Sequence, residues 1–96
     1  MAYDPGAIDA TLAAAVGDEP ALIAELREAF LDSAKTNLAT IEKTRDHAVW
    51  KDASLRLKGL AASFGAIRLM ALAGEAADRP GDPEALRKMR RAIERL

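Results

Sequence analysis

Apolar and polar residues follow one another along the chain with the spacing of helices, and the clearest case lies in its first half. Apolar side chains recur there every three or four residues, while charged side chains occupy the opposite side. The members of this apolar stripe are Leu22, Leu26, Phe30, Ala34, Leu38 and Ile41. No glycine or proline interrupts residues 21–44, so the pattern predicts one long amphipathic helix over about 20–44, starting at Asp18-Glu19-Pro20.

Shorter helices are predicted at the two ends of the chain, each after an aspartate followed by proline. Aspartate is a favoured capping residue, and proline is well suited to the first helical position. The pair Asp4-Pro5 predicts a short helix over about 5–16, and the pair Asp82-Pro83 predicts a last helix over about 83–95.

The remaining segment predicts a third helix, which carries most of the informative residues. Asp46 is a capping residue for a helix that begins at His47 or Ala48 and runs to about Ala77. Gly65 and Gly74 lie inside this range and are expected to bend or loosen the helix.

Each predicted helix has a single apolar stripe, and the connections between helices are short. Such helices bury their stripes against one another, which predicts an all-α, antiparallel up-and-down four-helix bundle with a short N-terminal helix. Residues 1–96 are expected to form one domain. The residues predicted to be largely buried are Leu26, Phe30, Leu38, Leu57, Phe64, Leu69, Leu72 and Ile93.

The third helix has a second face, which differs from its apolar stripe. The stripe consists of Ala53, Leu57, Leu60, Ala61 and Phe64. The other face consists of Lys51, Leu55, Lys58, Gly59 and Ala62. A glycine inside a helix costs about 1 kcal/mol relative to alanine, so Gly59 needs an explanation. Close approach of another molecule to this face is a good one.

This stretch resembles the signature of the histidine phosphotransfer (Hpt) domain of bacterial phosphorelays. The matching residues are Leu57-Lys58-Gly59, Ala61-Ala62-Ser63, Phe64-Gly65-Ala66, Leu69 and Leu72. The resemblance extends over about residues 22–76, although only the central stretch is specific, and it implies the same bundle. The signature places the phosphoacceptor histidine two residues before Leu57, where this chain has Leu55.

The resemblance also implies a class of partner, namely a response-regulator receiver domain or a histidine kinase. In the family, the histidine exchanges a phosphoryl group with an aspartate of a receiver, which supplies the magnesium ion and an acidic pocket. Lys58 is then expected to face that pocket, and Gly59 to let the receiver come close. Leu55 has no lone pair and no ionisable proton, so the chain is expected to have no catalytic residue, no cofactor and no enzymatic activity.

His47 is the only histidine in the chain and does not replace the missing one. It precedes Leu55 by eight residues, which is about 12 Å along a helix axis and about 80° around it. It also lies outside the lysine-glycine context of the signature. The sequence therefore predicts a solvated histidine in the first turn of the third helix.

Composition narrows the remaining function classes. Half of the 96 residues are apolar and only 4% are aromatic, which favours packed helices over a sheet. The net charge of −1 gives no general electrostatic argument for binding nucleic acid or a membrane. The chain has no cysteine, and its acidic residues have no metal-ligand spacing with the histidine, so no metal site is expected. Short apolar runs and the lack of a leader pattern predict a cytoplasmic protein.

Basic residues are concentrated in the last helix and also occur on the third. Those of the last helix are Arg87, Lys88, Arg90, Arg91 and Arg95. Cations near a helix C-terminus are favourable against the helix dipole, and Glu84 and Glu94 lie among these residues in the sequence. No aromatic stacking residue or recognition motif accompanies the charge, so a nucleic-acid site is not expected. On the third helix, the ordinary interpretation of Lys51, Arg56, Lys58 and Arg68 is a solvated face. The functional alternative is steering of an acidic receiver pocket, which depends on the resemblance.

Three interpretations of function remain open from the sequence. The first is a pseudo-Hpt protein, which binds receivers or a kinase without carrying phosphate. The second is an active phosphotransfer protein in which Leu55 has replaced a native histidine. The third is a structural or self-associating bundle. The partner's identity, the pathway output and the oligomeric state, including a homodimer, are left open.

Overall fold

The computed structural model describes residues 5–17 and 19–96, which form helices joined by short connections. The helices are α1 (Pro5–Val16), α2 (Pro20–Lys43), α3 (His47–Ser63), α4 (Ile67–Ala77) and α5 (Pro83–Glu94). No strand occurs within the described residues. The predicted all-α class is therefore confirmed.

Helices α2 to α5 form a bundle in which neighbours in sequence are also neighbours in space. Each packs against the next, and α5 returns to pack against α2, which closes the bundle. The short N-terminal helix α1 has α2 as its one packing neighbour among the helices in the described part of the chain. The connections are only a few residues long, so consecutive helices run antiparallel, as in up-and-down bundles.

The predicted apolar stripes form the core. Six of the eight residues predicted to be largely buried are buried, and Leu26 and Phe64 are partly buried and pack against the core. The rings of Phe30 and Phe64 stack with their centroids 4.8 Å apart, which joins α2 to the end of α3. The buried Trp50 Nε1 donates a hydrogen bond of 2.7 Å to the Ala76 carbonyl oxygen, joining α3 to α4.

The prediction of one continuous third helix is wrong, because the chain reverses direction after Ser63. Gly65 has a φ of 73°, in the left-handed region that glycine adopts most easily. The Ala66 amide donates to the Ala61 carbonyl at 2.9 Å, and the Gly65 amide donates to the Ala62 carbonyl at 3.3 Å. These two bonds define a Schellman motif, which ends α3 and lets α4 fold back against it. Gly74, in contrast, lies inside α4 without interrupting it.

The predicted start signals can be compared with the structure at three helices. An Asp46 carboxylate oxygen accepts the amide of Ala48 at 2.8 Å, and an Asp82 carboxylate oxygen accepts the amide of Glu84 at 3.0 Å. Both caps are confirmed. At the start of α2, Glu19 makes no side-chain capping bond. The predicted signals at Asp4 and Asp18 lie outside the described residues.

Candidate functional site

The second face predicted for the third helix is an exposed surface of α3. It consists of Lys51, Leu55, Lys58, Gly59 and Ala62, all of which are exposed, and we call it the α3 outer face. Leu55 lies in the middle of this face in sequence and is 45% exposed. Leu57 and Ala61 point the other way and are fully buried. The helix phase predicted from the sequence is therefore confirmed, whereas the role of the face stays a prediction.

Gly59 is not required by the packing of this chain. Apart from its two chain neighbours and the backbone of the adjacent turns of α3, no atom of the described residues comes within 4 Å of the position that a Cβ atom would occupy there. The hydroxyl of Ser63 donates a hydrogen bond of 3.0 Å to the Gly59 carbonyl oxygen, so this acceptor is already partly satisfied. The result is a low point on the surface, one turn after Leu55, at which another molecule can approach the helix backbone.

Lys58 lies across α4 instead of extending straight into solvent. Its Cδ and Cε atoms are 3.6 and 3.7 Å from the position that a Cβ atom would occupy at Gly74. The aliphatic part of Lys58 therefore covers α4, and Nζ is held close to the same place, at 3.8 Å. In the described residues no carboxylate forms an ion pair with this ammonium group. It remains available to an anion on a partner.

The chemistry at position 55 is that of an alkyl side chain between cations. Leu55 cannot accept a phosphoryl group, since it has no nitrogen, oxygen or sulfur. The adjacent Ser54 is fully buried, and its hydroxyl has no hydrogen-bond partner among the described residues. On the neighbouring surface, Arg56 pairs with Asp52 at 3.1 Å, with both side chains exposed, which leaves the positive charge of Lys51 and Lys58 dominant near Leu55.

His47 lies at the other end of α3 from the signature. It is exposed and is the first residue of the helix, as the sequence predicts. Its Nε2 atom is 3.4 Å from the position of a Cβ atom at Gly81, in the turn between α4 and α5. Helix geometry separates it from Leu55 by about 12 Å along the axis. The structure therefore does not bring His47 to the α3 outer face.

A groove between α4 and α5 was missed by the sequence reasoning. It has a volume of about 200 Å³ and is lined by apolar residues and by several arginines and lysines. Arg87, Arg91 and Arg95 are spaced four residues apart, so they lie on one side of a helix. This spacing was the only sign of the groove in the sequence. The apolar floor could not be foreseen, because it forms only when α4 folds back and packs against α5.

Neither a membrane span nor a metal cluster is found in the part of the chain that the structure describes. No helix there is long and apolar enough to cross a membrane. No three or more histidine, aspartate or glutamate side chains are grouped there in a way that could hold a metal ion.

The protein is a helical bundle whose helix α3 carries signature residues on an exposed face. Comparison with family models agrees with this class of protein. The family model described as Hpt domain matches residues 25–96, which include most of α2 and all of α3, α4 and α5. The chain therefore belongs to the Hpt domain family. Comparison with curated proteins and with solved structures gives no significant match. Hpt domains are phosphotransfer carriers of phosphorelays rather than enzymes, and they interact with response-regulator or kinase domains.

Proposed function

We propose that residues 1–96 act as one pseudo-Hpt module, which binds a receiver domain or a histidine kinase through the α3 outer face without carrying phosphate. The observation that carries this proposal is an exposed leucine at the phosphoacceptor position, followed one turn later by a glycine over open space. The module acts by occupying the partner's docking surface, as a competitor or an adaptor.

The residues of the face supply the interactions that such docking needs. Burying a leucine completely is worth about 1.5–3 kcal/mol, and Leu55 begins 45% exposed, so it contributes only part of that range. Lys51 and Lys58 attract an acidic pocket and mainly increase the association rate. Gly59 lets the partner come close to the backbone, which offsets its cost in helix stability.

Phosphoryl transfer to this protein would require a nucleophile with a lone pair at position 55, and leucine has none. In the family, a histidine nitrogen attacks phosphorus, a phosphorus–nitrogen bond forms, and the bond from phosphorus to the aspartate oxygen breaks. The rest of the chemistry is positioning and charge stabilisation. Leu55 offers no electron pair, so the phosphoryl group stays on the receiver until water removes it.

Phosphotransfer from a radiolabelled phosphorylated receiver tests this chemistry. We expect the parent protein to acquire no acid-labile phosphate, whereas Leu55→His acquires it because Lys58 and Gly59 still position the partner. The matched control is Leu55→His with His47→Gln, which should be labelled equally well. Phosphohistidine on His47 of the parent protein would contradict the proposal.

Binding to a receiver domain tests the face itself. Leu55→Asp buries an unpaired charge next to an acidic pocket and should weaken binding at least tenfold, because desolvating such a charge costs several kcal/mol. Gly59→Leu should block the approach sterically, and Lys58→Glu should slow association and change its salt dependence.

The control for these variants is Glu28→Lys, a charge change on an exposed residue of α2. Titration calorimetry and thermal melting are measured in parallel for every variant. All three positions on the face are exposed, so melting temperatures should change little. Parent-like affinity for both Leu55→Asp and Gly59→Leu would show that the face has no docking role.

A further inference from the structure

The groove between α4 and α5 combines an apolar floor with a basic rim. Leu69 and Leu72 of α4 and Ala92 of α5 are buried residues that contribute to its floor. The basic lining residues are Arg68, Arg87, Lys88, Arg91 and Arg95. Its volume of about 200 Å³ suits a single apolar side chain better than a whole small molecule, whose sites usually measure about 300–1,000 Å³.

Charge is distributed very unevenly between this groove and the rest of the chain. The chain has 14 basic and 15 acidic residues, but the groove is lined by five basic residues and one acidic residue, Glu84. Glu84 pairs with Arg87. The other four cations form no ion pair within the described residues. Such a cluster creates a positive local potential, which a negatively charged ligand would neutralise.

The groove and the α3 outer face lie on different sides of α4. Lys58 covers α4 at Gly74, whereas Leu72 lines the groove. Residues two apart in a helix point about 160° away from each other. A receiver on the α3 outer face therefore does not need to cover the groove, and the two surfaces can be occupied independently.

From these observations we infer that the groove is a second docking site, which takes an acidic protein segment with one apolar anchor side chain. The anchor fills the space above Leu69 and Leu72, and flanking carboxylates pair with the free guanidinium groups of Arg68, Arg91 and Arg95. Single-stranded nucleic acid is a poorer match, because it needs aromatic stacking partners and the groove lining has none. A module with both sites can hold a signalling partner and an acidic partner together.

The experiment uses an acetylated and amidated pentapeptide with leucine between two pairs of acidic residues. It is titrated into the ¹⁵N-labelled full chain, and amide shifts are followed. We expect shifts at Arg68, Leu69 and Leu72 but not at Leu55. A peptide with serine in place of leucine should bind about tenfold more weakly or worse, since burying a leucine is worth at least about 1.5 kcal/mol.

Paired charge removal separates the groove from general electrostatic attraction. Arg91→Gln with Arg95→Gln should weaken peptide binding about two- to thirtyfold, the range expected for two exposed ion pairs. The control, Lys43→Gln with Arg45→Gln, removes the same charge from the end of α2 and the connection after it, and should change affinity less than twofold. Leu55→Asp should bind the peptide with the affinity of the parent protein. Peptide binding at the groove therefore tests this inference even if the α3 outer face does not bind a receiver.

Several outcomes would overturn the inference. An equal loss of peptide affinity in the two double variants would show that binding depends only on net charge. Amide shifts centred away from the groove would show that the peptide binds elsewhere. Tighter binding at the groove to a thymidine oligonucleotide or to phosphatidylglycerol vesicles would assign it to another ligand class. Self-association in sedimentation equilibrium that disappears in Arg91→Gln with Arg95→Gln would make a second copy the occupant.

Discussion

At the scale of single residues, the sharpest contrast lies between Ser54 and Leu55. Ser54 is fully buried with an unpartnered hydroxyl, whereas Leu55, the next residue, is 45% exposed. Neighbours in a helix point about 100° apart, so one step along α3 leads from the core to solvent. The polar side chain thus lies inside and the apolar one outside, the reverse of what stability alone favours.

Ser54→Ala should stabilise the protein. The substitution removes a buried hydroxyl without a partner, whose desolvation costs about 1–3 kcal/mol, and alanine has the better helix propensity. We expect the free energy of unfolding in urea to rise by about 1 kcal/mol. The control is Ser63→Ala, whose exposed hydroxyl bonds to the Gly59 carbonyl and whose loss should have a small effect. A clear destabilisation by Ser54→Ala would mean that the hydroxyl is hydrogen-bonded in solution.

At the scale of elements, the break between α3 and α4 organises the molecule. The Schellman motif at Gly65 turns what periodicity predicts as one helix into an antiparallel pair. This reversal places Gly74 beneath Lys58, and it places the floor of the groove against α5. The placement of Lys58 over α4 and the floor of the groove therefore both depend on one left-handed residue.

Gly65→Ala should destabilise the protein by about 1–2 kcal/mol, the cost of a left-handed conformation for a residue with a Cβ atom. The matched control is Gly74→Ala, inside α4. There the added Cβ atom meets the flexible Lys58 side chain at ordinary contact distance, so the better helix propensity should leave stability equal or up to about 1 kcal/mol higher. Urea denaturation followed by circular dichroism measures both. Equal effects of the two substitutions would show that the turn does not require a left-handed residue.

At the scale of the whole molecule, α1 supports the bundle from one side only. Ile8 and Leu12 belong to the core, and Asp9 pairs with Arg27 of α2 at 2.7 Å. In the described part of the chain α1 packs as a neighbour of α2 alone, and it contributes no residue to the α3 outer face. Stability and docking should therefore respond differently to changes in α1.

Leu12→Ala should lower the free energy of unfolding by about 2–4 kcal/mol, because it removes buried methyl groups and leaves a cavity. Its affinity for a receiver domain should stay within about twofold of the parent at a temperature where both proteins are folded. Denaturation and titration calorimetry on the same preparation give both numbers. A tenfold loss of affinity in the folded variant would show that α1 contributes to the docking surface.

The sequence by itself determined the helical class, the buried stripes and the exposure of the α3 outer face. These properties are local, since a spacing of three or four residues defines one side of a helix whatever it packs against. The caps at Asp46 and Asp82 were predictable for the same reason, because a capping residue bonds to amides only two or three positions away. The family signature around Lys58 and Gly59 likewise needed only the order of the residues.

Only the tertiary structure decided where α3 ends, what Lys58 covers and that a basic groove exists. The left-handed conformation at Gly65 competes with helix continuation, and periodicity is the same on both sides of it. Once the chain reverses there, residues far apart in sequence, such as Leu69 and Ala92, come to line one groove. Contacts of this kind depend on how helices pack against each other, and the residue pattern within one helix does not specify which helix it will pack against.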